Sequence, residues 1–166
     1  MAQKSLISLE LVTNMIHQTT NEKIEALHLE KQNSEYEGMT FKIGQFSYRS
    51  RLAKKTPNKK GYFVVFWEKD QHHHNTPFKF DDSPDKLIIS IKDGLHSGQF
   101  IFPKAILVAK GILSYERQLG KMAMRIYPNW VSNLNPTARR TQLWQLDYFI
   151  NYDKKISPDM VRALYF

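Results

Sequence analysis

Six cations fall within twelve residues, at Arg49, Arg51, Lys54, Lys55, Lys59 and Lys60, and Lys121 and Arg125 stand four apart in a later segment of strand-like alternation. Even spacing along a strand puts side chains on one face. Two arginines held in that way can make paired hydrogen bonds to phosphate oxygens, whereas a lysine-rich turn supplies charge without fixed geometry. The eight together form the expected surface for a polyanion, nucleic acid above all. Tyr48, Tyr62, Trp67, Tyr127 and Trp130 are interleaved with them and are of types that stack on bases, although aromatic residues of strands more often fill a core.

An enzyme acting on phosphodiesters needs carboxylates beside such cations, to hold a divalent metal. Glu35, Glu37 and Glu68 are the candidates. Glu68 immediately precedes Lys69, and adjacent strand residues face opposite ways, which spoils a shared metal and lysine site. Asp153-Lys154-Lys155 has the better spacing but sits near the tail, and Asp81, Asp82 and Asp85 read as turn residues. His72, His73 and His74 fall in a polar loop where adjacent rings diverge, so a solvated loop is expected there and no metal site. His17, His28 and His96 have no partner at a spacing that suggests catalysis. No Walker loop, Rossmann glycine pattern or Gly-x-Ser-x-Gly elbow is present, and cysteine is absent, so thiolate chemistry and Cys-bound metals are excluded. No cofactor is expected; a divalent metal enters only under the enzyme reading.

The distribution of charge sharpens the picture. The net charge is +8, yet residues 1–40 carry three Lys against six Glu. Residues 41–69 carry eight cations against Glu68, and residues 101–140 carry seven against Glu116. The whole excess therefore comes from two blocks, and two blocks folded onto one face would attract phosphates by releasing their counterions. At 166 residues and 42% hydrophobic content the chain is expected to be one domain, 1–166, with a packed core. No apolar run reaches the length of a membrane span and no apolar signal segment follows Met1, so a cytoplasmic location is expected. A protein partner is compatible with the same surface, and nothing in the sequence indicates the oligomeric state.

The elements that must carry these residues are legible in outline. Leu6, Leu9, Val12, Met15 and Ile16 give an amphipathic helix over residues 5–18, with Ser5 as its expected cap. Ile24, Leu27 and Leu29 follow neither period. Strands are expected over residues 40–43 and 45–51, then at Tyr62 to Trp67, whose unbroken apolar run suits a central strand covered on both faces. Lys54 to Gly61, with Pro57 and Gly61, reads as a basic hairpin tip between them. Further strands are expected at 86–91, 99–102, 121–127 and 147–152. Short helices are expected after Pro103, ending at Gly111, after Asn135-Pro136, and after Ser157-Pro158. The order predicts an α+β domain: a mostly antiparallel twisted sheet, an N-terminal amphipathic helix and short flanking helices.

The stretch from Arg49 to Asp70, reading RSRLAKKTPNKKGYFVVFWEKD, resembles the MepB family of small bacterial proteins. The segments 99–104 (QFIFPK), 110–114 (KGILS) and 120–130 (GKMAMRIYPNW), together with Trp144, are similar to the same pattern, and the resemblance spans about residues 35–150. It implies a cytosolic protein whose founding relative is encoded beside a multidrug efflux transporter and its repressor, and it brings no catalytic residues. The leading expectation is a polyanion-binding protein using Arg49, Arg51, Lys54, Lys55, Lys59, Lys60, Lys121 and Arg125. The alternatives are a metal-dependent, nuclease-like enzyme using Glu35, Glu37 or Glu68, and an accessory interaction protein linked to multidrug efflux.

Overall fold

The computed structural model describes residues 5–166. Helix α1 runs Ile7–Thr19 and buries Val12, Met15 and Ile16. Ser5 does not cap it: its hydroxyl turns to Glu10, and Glu37 takes the helix's free amides instead, accepting from the Ser8 amide at 2.8 Å and the Ser8 hydroxyl at 2.6 Å. A carboxylate suits this position because the first-turn amides lack partners and carry the positive end of the helix dipole.

The main sheet has six strands in the order β1 (Ile24–Leu29), β2 (Met39–Ile43), β3 (Phe46–Leu52), β8 (Lys86–Asp93), β9 (His96–Pro103) and β11 (Phe149–Asn151). Its ladders are antiparallel except β3 with β8, which run parallel from Tyr48 opposite Lys86 to Leu52 opposite Ser90. Strands β8 and β9 are covered on both faces, as is the short β11, whose Phe149 and Ile150 enter opposite cores. Leu87, Ile89, Ile91, Phe100 and Phe102 enter one core, and Ile88 and Ile101 enter the other.

The second core is closed by α1 and by α4 (Pro158–Tyr165), which place Val12, Met15, Val161 and Tyr165 on Met39, Phe41 and Tyr48. The Tyr48 hydroxyl donates to the Tyr165 carbonyl at 2.5 Å, and Gln99 accepts from the Tyr152 and Tyr165 hydroxyls. These bonds satisfy polar groups that burial would otherwise leave costly.

Over the first core lies a three-stranded sheet in the order β10 (Ala123–Ile126), β5 (Tyr62–Val65) and β4 (Lys54–Lys55). Tyr62 to Trp67 is thus central, but in this small sheet, and the strand stops at Val65. Tyr62 and Val64 are buried beneath it while Phe63 and Val65 are half-buried on its outer face. A two-stranded ribbon of β6 (Glu68–Lys69) and β7 (Asn75–Thr76) carries the histidines at its tip. Helix α2 (Lys104–Ala109) buries Leu107, and Gly111 follows it with φ of 70°. Helix α3 (Pro136–Gln145) starts at Asn135, whose Oδ1 accepts from the Ala138 amide at 2.9 Å. Among the described residues no helix is long and apolar enough to cross a membrane.

Candidate nucleic-acid interface

The arginines of β3 do share a face, but it is the inner one. Arg51 is fully buried and its Nη2 donates to Glu30 Oε2 at 2.6 Å; Arg49 Nε donates to Glu30 Oε1 at 3.1 Å. Arg51 also donates to the carbonyls of Ser50 and Val65, and the Arg49 guanidinium lies 3.5 Å above the Phe78 ring. Gly38 completes the enclosure, since a Cβ there would lie 3.1 Å from Arg51 Nη1. Burial pushes both guanidiniums below their usual values and Glu30 opposes the shift in each. The expectation that Arg49 and Arg51 lie on an open strand face is therefore corrected: Glu30 brings them inward, because two buried cations need a carboxylate. Glu30 was not singled out in the sequence, as it stands 21 residues from Arg51 in an acidic stretch.

The suspected carboxylates are dispersed among other tasks. Glu37 holds the start of α1, and Glu35 is exposed with Oε2 3.8 Å from Lys54 Nζ. Glu68 lies on the β6–β7 ribbon. Among the described residues no three His, Asp or Glu side chains are grouped as a metal would require. His72, His73 and His74 are exposed around Asp70, whose Oδ1 accepts from the amides of His72 and His74. Those bonds, the one from His74 foremost, hold the Asp70 carboxyl below its usual value.

The remaining cations gather along the outer sheet. Three clefts run side by side there. The first, of about 480 Å³, is lined by Lys55, Lys59, Lys60, Tyr62, Asp93 and Trp130. The second, of about 500 Å³, shares Asn58, Lys59 and Lys60 with it and adds Arg125, Tyr127 and Asn135. The third, of about 340 Å³, shares Arg125 and Tyr127 with the second and adds Lys110, Lys121 and Trp144. Of the eight expected cations, Lys55, Lys59, Lys60, Lys121 and Arg125 line this run. Lys54 sits on the other side of β4, with its ammonium 4.8 Å from the Tyr36 ring.

Each of the five has a definite setting. Lys55 Nζ is 3.6 Å from Asp93 Oδ2. Lys60 Nζ donates to the carbonyls of Ser132, at 3.1 Å, and Asn133, at 2.6 Å, tying the hairpin tip to the approach of α3. Arg125 donates from Nε to the Lys60 carbonyl and shares its Nη2 among the Thr56 hydroxyl and the carbonyls of Lys59, Lys60 and Gly61, at 2.8 to 3.3 Å. Lys59 and Lys121 are exposed.

Of the aromatics expected to stack on bases, Tyr48 and Tyr62 are buried. Trp130 lines the first cleft, donates from Nε1 to the Tyr62 hydroxyl at 2.9 Å, and carries the His96 ring stacked at 4.7 Å. His96 Nδ1 in turn lies 2.5 Å from Asp153 Oδ2. Burial pushes the Asp153 carboxyl up, but the bonds from His96 and the Ser97 amide together leave it below its usual value. Tyr127 stands between the second and third clefts. Lys110 and Trp144 were not named as site residues; the ammonium lies 5.4 Å from the indole, a contact between residues 34 apart that no local pattern announces.

Comparison with known proteins agrees with this architecture. The MepB-like family model matches residues 30–151. A solved structure described as the crystal structure of MepB is 43% identical, covers 91% of this chain and all of its own, and superposes with a TM-score of 0.80. A bacterial homing endonuclease is 11% identical over 84% of this chain and 86% of its own, with a TM-score of 0.48. No match is found among the curated proteins. On the family match and the identity to MepB, the chain belongs to the MepB-like family.

Proposed function

We propose that this protein binds a polyanion, nucleic acid in the first place, along the run of clefts that borders the β10–β5–β4 sheet. The observation that carries this reading is the continuity of the three clefts, which share lining residues and draw Lys55, Lys59, Lys60, Lys121 and Arg125 from two separate basic blocks of the chain. Concave, cation-lined surface concentrates phosphates, and their bound counterions are released on contact. Tyr127 and Trp144 within the run offer apolar rings beside the cations, the combination that suits a nucleotide chain better than a bare inorganic anion. Arg49 and Arg51 take no part at this surface; they hold the sheet together from within.

The test is affinity for short DNA and RNA oligonucleotides across a salt series. Five phosphate contacts give a slope of about −3.5 to −4.5 in log affinity against log salt, at roughly −0.7 to −0.9 for each contact. Absence of measurable binding at about 50 mM salt overturns the reading.

A further inference from the structure

His96 has no partner near it in sequence, but the fold gives it one 57 residues away: its Nδ1 lies 2.5 Å from Asp153 Oδ2. The carboxylate is itself fixed. Its Oδ1 accepts from the Ser97 amide at 2.8 Å, and the Asp153 amide donates to Asn151 Oδ1 at 2.7 Å. The imidazole stacks on Trp130 with 10° between the ring planes, and Trp130 is anchored to the Tyr62 hydroxyl. Strand order sets which way the ring faces. Strand β9 lies between β8 and β11, and Asp153 follows β11, so Nδ1 is turned toward that side and Nε2, across the ring, toward β8. There Asp93 stands directly opposite His96 in the ladder, and opposed residues project from one face of a sheet. Asp93 and Trp130 both line the first cleft, which places Nε2 at its margin. Among the described residues Nε2 meets no hydrogen-bond partner, and the His96 side chain is 51% exposed.

The charges facing this ring decide what it can hold. Asp93 is engaged by the Tyr62 hydroxyl at 2.7 Å and by Lys55 Nζ at 3.6 Å, which leaves Asp153, with Lys92 acting on it from β8, as the charge that His96 answers. A neutral imidazole keeps its proton on Nδ1, against the carboxylate, and so presents a lone pair at Nε2 beside a dyad with one net negative charge. Such a surface repels phosphate. A protonated imidazole cancels that charge and makes Nε2 a donor. We propose that His96 is a phosphate contact at the margin of the first cleft, donating from Nε2 as the imidazolium, with Asp153 as its positioning residue. The inference deepens the nucleic-acid reading and rests on it for the source of the phosphate: binding strengthens in mild acid. Trp130 supports the charged form as well as the stack, since the face of an indole attracts a cation laid on it.

The experiment measures the affinity of the full chain for a short oligonucleotide at about pH 8 and about pH 5.5, the range in which an imidazole takes up its proton. Wild type is expected to bind about three- to ten-fold more tightly at the lower pH, the worth of one net hydrogen bond. A variant with His72, His73 and His74 all changed to Gln should keep that gain, because those rings lie outside the clefts. His96→Gln should lose it. A gain that survives His96→Gln, or no gain in wild type, overturns the contact and leaves the nucleic-acid reading standing. The ring nitrogens of His96 are followed separately in the ¹⁵N-labelled wild type under dimethyl phosphate, whose single charge is the same at both pH values. Their signals are expected to move and saturate at the lower pH. Movement in a protein that binds no oligonucleotide supports the contact and overturns the nucleic-acid reading, whereas signals that stay still overturn the contact. At the higher pH the same spectra should show the ring proton on Nδ1 in wild type and no such preference in Asp153→Asn; an unchanged tautomer overturns the positioning role of Asp153.

Discussion

Arg51 Nη2 and Glu30 Oε2 lie 2.6 Å apart in an enclosure where the arginine side chain has no solvent exposure and the glutamate 7%. A pair so placed is worth little against an apolar substitute but is costly to break from one side, because the survivor is left charged and dry. Arg51→Ala is accordingly expected to destabilise the fold by about 3 to 5 kcal/mol, read as a lowered urea midpoint. A loss under 1 kcal/mol would mean that Glu30 finds full compensation in Arg49.

Glu37 tests whether α1 depends on a remote cap. Glu37→Ala leaves the first-turn amides without their acceptor and is expected to cost about 1 to 2 kcal/mol. Hydrogen exchange should accelerate first at Ile7 and Ser8, the two amides that face this carboxylate. Equal acceleration throughout the main sheet would argue against a local role.

The Tyr62 hydroxyl donates to Asp93 Oδ2 at 2.7 Å, and its pKa is pushed up to about 12, mainly by burial, with Asp93 adding and the Trp130 bond opposing. A raised folded-state pKa favours the protonated fold: the contribution is full below about pH 10 and is lost as pH rises through 12. The stability advantage of wild type over Tyr62→Phe should therefore shrink by about 1 kcal/mol between pH 9 and 11, followed as urea midpoints. An advantage independent of pH would show that this hydroxyl does not titrate as its burial requires.

Lys121 provides the cleanest charge variant, because it is exposed and accepts no structural duty. Lys121→Ala should flatten the salt slope of oligonucleotide binding by about 0.7 to 0.9. Its stability should stay within about 0.5 kcal/mol of wild type. Lys31→Ala and Lys92→Ala, outside the clefts, should leave the slope unchanged. Equal effects at all three positions would mean that net charge alone attracts the ligand.

Local signals and distant pairings account for what the sequence could disclose. Asn135-Pro136 and Ser157-Pro158 announce helices because cap and proline act within four residues, and both helices start there. The alternation that marks β3 correctly puts Arg49 and Arg51 on one side. Which side depends on Glu30, and a periodicity of two is blind to a carboxylate 21 residues away. Tyr62 to Trp67 is apolar enough for a strand covered twice, yet that role falls to β8 and β9, which alternate between the two cores. Strand β1 follows no clear period because its ladder with β2 is interrupted. The basic tip at 54–61 is legible as a turn, but the grip of Arg125 on it joins residues 64 or more apart and becomes visible only in three dimensions.

That interruption in β1 lies at an open end of the six-stranded sheet. Register is lost between Glu25 and His28, where Ala26 takes φ of 53°. An unbroken outer row of amides and carbonyls would be a template on which another molecule could crystallise its own strand, and so on without limit. A kinked row offers no such template. The defect in pairing thus works against edge-to-edge growth on the strand where Leu27 and Leu29 are exposed.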